Sequence, residues 1–286
     1  MSLNKLHINL DKSCFMYFSK NLKNPPENYE NECYPPIMIG STEIKQVSET
    51  KFLGVVIDER LSWEPHIKAL SKKLASCTGS INQISKSMPR NLFRDLYFTL
   101  FESYMTYGVT VWGSVTCSKI NNIFKSQKKI TRVLFGDRDK YLDKFMTCVR
   151  ARPYLEQKLP PEFYIKEPSK PIFNANKILN IENLYFYHTA IETFKILKYK
   201  SPTIAYESYK LSSRSNKGLF ILTPQPNRTF QYNSSVIWNK VRNFLKTDDS
   251  ATSVASLKSN LRSKILLNQS LGDTESWIEH NFMKYK

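Results

Sequence analysis

The sequence predicts an α+β protein: a small antiparallel sheet, then a mainly α-helical region, then a helical C-terminal region. Three observations carry this. Short apolar runs broken by Gly, Pro and Asn fill residues 1–58. After Ser62 the apolar spacing changes to a helical period. Between Ala151 and Asn174 stand five prolines, at 153, 160, 161, 168 and 171, which no continuous helix tolerates. Four regions follow: 1–58 as a sheet, 59–150 as a basic helical domain, 151–175 as a Pro-rich linker, and 176–286 as a helical C-terminal region.

The elements follow in order. SCFMYF, Ser13–Phe18, is a short apolar-aromatic strand. The Asn- and Pro-rich stretch after it reads as a loop. Pro36–Ile39 and Thr42–Val47 flank Gly40-Ser41 and predict a hairpin. KFLGVVID, Lys51–Asp58, reads as one strand interrupted by Gly54, a place for a bulge or a close approach to the backbone. Ile67, Leu70, Leu74, Ile81 and Ile84 line one face of a helix that Ser62 can cap, with Pro65 in its first turn and Pro89 ending it. The doublets Leu92/Phe93, Leu96/Tyr97 and Leu100/Phe101, with Tyr104, predict the next helix. A third runs from Ser118, with Ile120, Ile123, Phe124, Ile130, Val133 and Leu134 inward and Gly136 as its C-cap. Helices are further expected over 178–198, 234–246 and 251–267, with a short one from Thr274.

Charge narrows the function. Lys and Arg number 42 against 25 acids, a formal net charge of +17, which favours a polyanionic partner, nucleic acid before membrane. Residues 66–132 hold eleven cations and only two acids, Asp95 and Glu102. Lys68, Lys72 and Lys73 lie opposite the Leu70/Leu74 stripe. Lys125, Lys128, Lys129 and Arg132, at i, i+3, i+4 and i+7, share one helical face, the arrangement a helix needs to follow phosphates. For any one helix a solvated surface face explains the same pattern; three successive helices with this bias give the nucleic-acid reading its weight.

Other chemistry finds little support. The five cysteines (14, 33, 77, 117, 148) and four histidines (7, 66, 188, 280) lack metal-ligand spacing, so no metal site and no disulfide framework are expected. The opening MSLNKLHINLDK has no long apolar run, and the uncharged stretch Ser103–Ser118 falls short of the roughly 20 apolar residues of a span, so neither a signal peptide nor a membrane partner is expected. Widely spaced, unpaired cysteines favour free thiols in a reducing compartment, so an intracellular setting is expected, nucleus and cytoplasm not being distinguished. Asp58-Glu59, Asp137/Asp139 and Asp248-Asp249 read as turn and cap residues rather than a two-metal site. The residues compose no complete active site.

Several strings in sequence order resemble the C-terminal half of the reverse transcriptase of non-LTR, LINE-like retrotransposons of the jockey type. LHINLDKSCFMYFS from Leu6 is similar to the segment after the family's catalytic Asp-Asp loop. IKQVSETKFLGVVIDERLSWEPHI from Ile44 resembles its primer-grip hairpin and the start of its thumb. LYFTLFESYMTYGVTVWG from Leu96 and IFKSQKKITRVLFG from Ile123 resemble thumb helices, and PNRTFQYNSSVIWNKV from Pro226 a later Arg-Thr … Trp-Asn segment.

The resemblance implies a palm remnant with the primer grip over 1–58, a thumb over 59–150, and RNA-directed DNA synthesis as the family function. It implies a primer–template, such as an RNA–DNA hybrid, as partner, together with the palm and fingers of the polymerase. The chain is expected to begin just downstream of the Asp-Asp loop, so none of its aspartates is assigned to a metal. No cofactor is expected in this chain, magnesium being implied only for the complete polymerase. Lys12 matches the lysine of the family's Lys-Thr pair, a candidate general acid toward departing pyrophosphate, with Ser13 in place of Thr. Lys51, Phe52, Leu53 and Gly54 match the primer-grip strand, and Trp112 and Trp238 match family aromatics expected to be buried. Two other readings stay open: a host-recruited nucleic-acid-binding module without polymerase activity, and a retroelement relic. In the relic the sheet edge at Phe15–Phe18 and Phe52–Ile57 would be left uncovered.

Overall fold

A computed structural model describes residues 9–18, 37–115, 117–136, 169–209, 230–245 and 253–271. The chain divides into two compact units, residues 1–69 and 70–286, the division falling within a helix.

Among the described residues the first unit holds three two-stranded pairs. β1 (Cys14–Phe15) pairs in parallel with β4 (Lys45–Gln46). β2 (Met38–Ile39) and β3 (Thr42–Glu43) form the expected hairpin, with Gly40 at φ 64° in its turn. β5 (Glu49–Phe52) and β6 (Val55–Asp58) form a second antiparallel hairpin. The sheet is therefore not wholly antiparallel, and the stretch expected as one strand over 51–58 folds back on itself. Phe52 pairs with Val55, which leaves Leu53 and Gly54 as a two-residue turn. Their φ values, 45° and 86°, are both positive, as a type I′ turn requires. Glycine supplies this freely at the second position.

α1 (Glu64–Ile84) begins in the first unit. The loop before it is tied to Asp58, whose carboxylate oxygens accept from the Ser62 and Trp63 amides at 2.9 Å each. Leu61 and Trp63 sit at φ 49° and 60°, a conformation side-chain-bearing residues rarely adopt. The Asp58 carboxylate holds them there, so it is a turn and cap residue, as the sequence indicated.

The second unit is helical. α1 continues through it, followed by α2 (Phe93–Leu96), a π-helical stretch Tyr97–Glu102, α3 (Ser103–Thr106), α4 (Val109–Trp112) and α5 (Cys117–Phe135). Then come α6 (Ser169–Ala175), α7 (Ile181–Tyr199), α8 (Thr203–Glu207), α9 (Phe230–Leu245) and α10 (Val254–Leu271). α6 occupies the end of the segment expected as linker. Pro171 lies in its first turn, where a missing N–H costs no helical hydrogen bond. The expected linker before residue 169, the aspartates at 137, 139, 248 and 249, and the short helix from Thr274 lie outside the described residues.

α7 is the centre of this unit, packing against α3, α4, α5, α8, α9 and α10. It is buried nearly all round, including Leu184, Tyr185, Ala190, Ile191 and Phe194, as an interior helix must be. Gly113 lets α4 approach it: a Cβ there would strike the Tyr185 ring. Trp112 and Trp238 are both buried, Trp112 donating through Nε1 to the Tyr107 carbonyl at 2.9 Å.

The doublet pattern before Tyr104 resolves unequally. Phe93, Tyr97, Phe101 and Met105 are buried; Leu92, Leu100 and Tyr104 are exposed. Four-residue steps drift by about 40° each in an α-helix. The wider π-helical turn at 97–102 takes up that drift, so one stripe of four-spaced residues stays inward.

Candidate nucleic-acid interface

In the first unit the candidate residues gather at the β5–β6 hairpin. Lys51 is exposed, and Phe52 and Leu53 at the tip are 60% and 74% exposed. Two large apolar side chains and a cation thus project where a short turn places them. The register explains the anchoring behind the tip. Phe52 and Val55 flank the turn as a hydrogen-bonded pair, so at the next pair, Lys51 and Val56, the amides point outward. The outward Val56 N–H donates to Nδ1 of His66, 3.3 Å away in the first turn of α1. Burial holds the His66 imidazole below the usual histidine range, which keeps Nδ1 an acceptor.

Lys12 ends the 3₁₀ turn Leu10–Lys12, capped by Asn9, with its side chain exposed. Lys68 is exposed on α1.

In the second unit Lys72 and Lys73 are exposed on α1, and Lys125 and Lys129 on α5. Lys128 and Arg132, on the same α5 face, are half-buried, and Lys128 Nζ lies 3.9 Å from the centre of the Phe124 ring. Among the described residues no carboxylate pairs with Lys68, Lys72, Lys125 or Lys129.

The opposite face of α5 explains why these lysines point outward. Ile120, Ile123, Ile130 and Leu134 are buried, and so is Gln127. Gln127 Nε2 donates to the Tyr97 hydroxyl and the Leu179 carbonyl, each at 2.8 Å, while its Oε1 accepts from Ile181 N at 3.0 Å. Gln269 completes the same corner. It donates to the Ile178 carbonyl at 2.9 Å and accepts from Asn183 Nδ2 at 2.8 Å. Two buried amides thus satisfy the chain where it enters α7, and Gln127 fixes the rotation of α5. Sequence reasoning missed both, although Ser126 and Gln127 are the two uncharged residues within KSQKK.

Not every cation of the basic segment faces solvent chemistry. Arg94 donates to the Asn176 carbonyl at 3.3 Å and lies over the Phe98 ring, where Arg262 also packs. Beside them Glu102 is buried, its Oε2 without a hydrogen-bond partner. Burial raises the Glu102 carboxyl to about 7, against the opposing pull of Arg262 and Arg94. No three His, Cys, Asp or Glu side chains among the described residues converge as a metal site, and no described helix is long and apolar enough to cross a membrane.

Comparison with known proteins finds relatives among transposon proteins. The chain is 26% identical over 128 residues to the probable RNA-directed DNA polymerase from transposon BS of Drosophila melanogaster, a match covering 40% of this chain and 14% of that protein. It is 27% identical over 133 residues to the probable RNA-directed DNA polymerase from transposon X-element of the same fly, covering 45% and 14%. It is 32% identical over 81 residues to the retrovirus-related Pol polyprotein from type-1 retrotransposable element R1 of Bradysia coprophila, covering 27% and 8%. The chain is similar to the RNA-directed DNA polymerases of non-LTR retrotransposons. The similarity spans at most 14% of the length of these three relatives. No family model and no solved structure matches the chain.

Proposed function

We propose that the chain is part of a retrotransposon RNA-directed DNA polymerase and supplies its grip on the primer–template. The observation that carries this is the outward basic face of α5, whose exposed Lys125 and Lys129 have no carboxylate partner among the described residues, in a chain similar to such polymerases. Cations held on a rigid helix and left unneutralised follow phosphates regardless of base sequence. In the second unit Lys72, Lys73, Lys128 and Arg132 take the same role, and in the first unit Lys68 does. The Lys51–Gly54 turn presents apolar atoms and backbone to the primer end. Lys12 is the proton donor to departing pyrophosphate once a complete polymerase site is assembled.

The test is fluorescence anisotropy of a labelled RNA–DNA hybrid titrated with the protein at several salt concentrations. Affinity falls steeply with salt, and the K125A/K129A variant lowers the slope of log affinity against log salt by about two. Absence of hybrid binding even at low salt overturns the proposal.

A further inference from the structure

Where α1 lies beside the helix over 93–106 there is a patch that charge alone does not describe. Cys77 Sγ approaches the Leu100 carbonyl at 3.6 Å, and one turn away Lys73 Nζ lies 3.8 Å from the centre of the Tyr104 ring. Tyr104 is 39% exposed and Leu100 38%; Tyr107, just beyond, is 55% exposed. Lys72 and Lys73 stand exposed on the α1 side. Between residues 70 and 112 the acids are Asp95 and Glu102, and Glu102 is buried. The patch therefore combines open aromatic surface with positive charge, and its lysine rests on a ring rather than on a carboxylate.

We infer that Tyr104, with Lys73 over its ring, is a stacking platform for an unpaired nucleotide of a nucleic-acid strand. The inference rests on the proposed nucleic-acid reading and deepens it. A duplex shows a helix only its phosphates and groove edges, since its base faces are hidden in the stack. Such a partner pairs with the lysines but gains nothing from an exposed ring. A single strand offers both: a base face for Tyr104 and, one phosphate away, an anion for Lys73 and Lys72. Met105 and Phe101, on the inward side of the same helix, are fully buried and anchor it.

The experiment compares a labelled oligouridine with a labelled RNA–DNA hybrid, titrated against the full chain and its Y104A and Y104F variants. Y104A weakens oligouridine binding about tenfold or more. Hybrid binding is unchanged, and Y104F stays close to the parent because it keeps the ring. Circular dichroism and thermal unfolding confirm that the surface substitutions leave the fold intact. Unchanged oligouridine affinity in Y104A, an equal loss on both nucleic acids, or a parent that binds the hybrid alone each overturns the inference while the grip on the hybrid stands. A parent that binds neither overturns both.

Discussion

The carboxylate of Asp58 accepts the amide of Trp63 at 2.9 Å, and through that bond the last residue of the β5–β6 hairpin fixes the start of α1. Burial pushes the carboxyl up, but the Ser62 and Trp63 amides outweigh it and hold it below the usual aspartate range. Substituting D58A removes the acceptor for both amides and releases Leu61 and Trp63 from positive φ. It costs about 1–2 kcal/mol, as loss of a helix cap does. Denaturant unfolding measures it. Because the folded-state carboxyl is depressed, its contribution is present above the ordinary aspartate range and is lost as pH falls through the folded value.

His66 makes the hairpin pH-sensitive at a higher value. Its imidazole accepts the Val56 amide, which the protonated ring cannot do. The ring is depressed by burial, so this stability is present above the ordinary histidine value of about 6.5 and is lost as pH falls. Hydrogen exchange at the Val56 amide, corrected for intrinsic rate, speeds up on acidification. In H66F the exchange is fast at every pH.

Glu102 has the opposite sign. Its carboxyl is raised to about 7 by burial, so its contribution is present below the unfolded value of 4.5 and is lost as pH rises through 7. The full effect is about 3 kcal/mol. An E102Q variant escapes it. The stability difference between E102Q and the parent therefore grows from near zero at pH 4 toward that size at pH 8, in paired unfolding curves.

Gln127 is the internal counterpart of the basic face. The Q127L variant leaves the Leu179 carbonyl, the Ile181 amide and the Tyr97 hydroxyl without this partner. Each unmet buried group costs about 1–3 kcal/mol, so a loss of at least about 2 kcal/mol is expected in thermal or denaturant unfolding. By contrast, K125A and K129A leave stability within about 0.5 kcal/mol while lowering nucleic-acid affinity.

Much of the helical layout was legible because helices are local. The Ile67–Leu70–Leu74 stripe, the Ile120–Ile123–Ile130 stripe and the lysines set against them share one 3.6-residue period, and that period holds whatever the helix packs on. The hairpin at Leu53-Gly54 was not legible as a turn. A leucine rarely takes positive φ, and the apolar run on both sides reads equally well as one continuous strand. β1 pairing in parallel with β4 was also hidden, since the partner lies some thirty residues away across a polar stretch.

The sequence by itself determined where the longer helices run, which face of α5 carries its cations, and the large positive charge that favours a polyanionic partner. Those properties follow from residue spacing and net charge, which folding does not alter. Only the tertiary structure decided that Gln127 turns inward among those lysines and that Glu102 is buried beside Arg94 and Arg262. It also left Tyr104 open to solvent under a lysine. Each depends on which neighbour fills the space around a side chain, and burial and desolvation come from segments far apart in the chain.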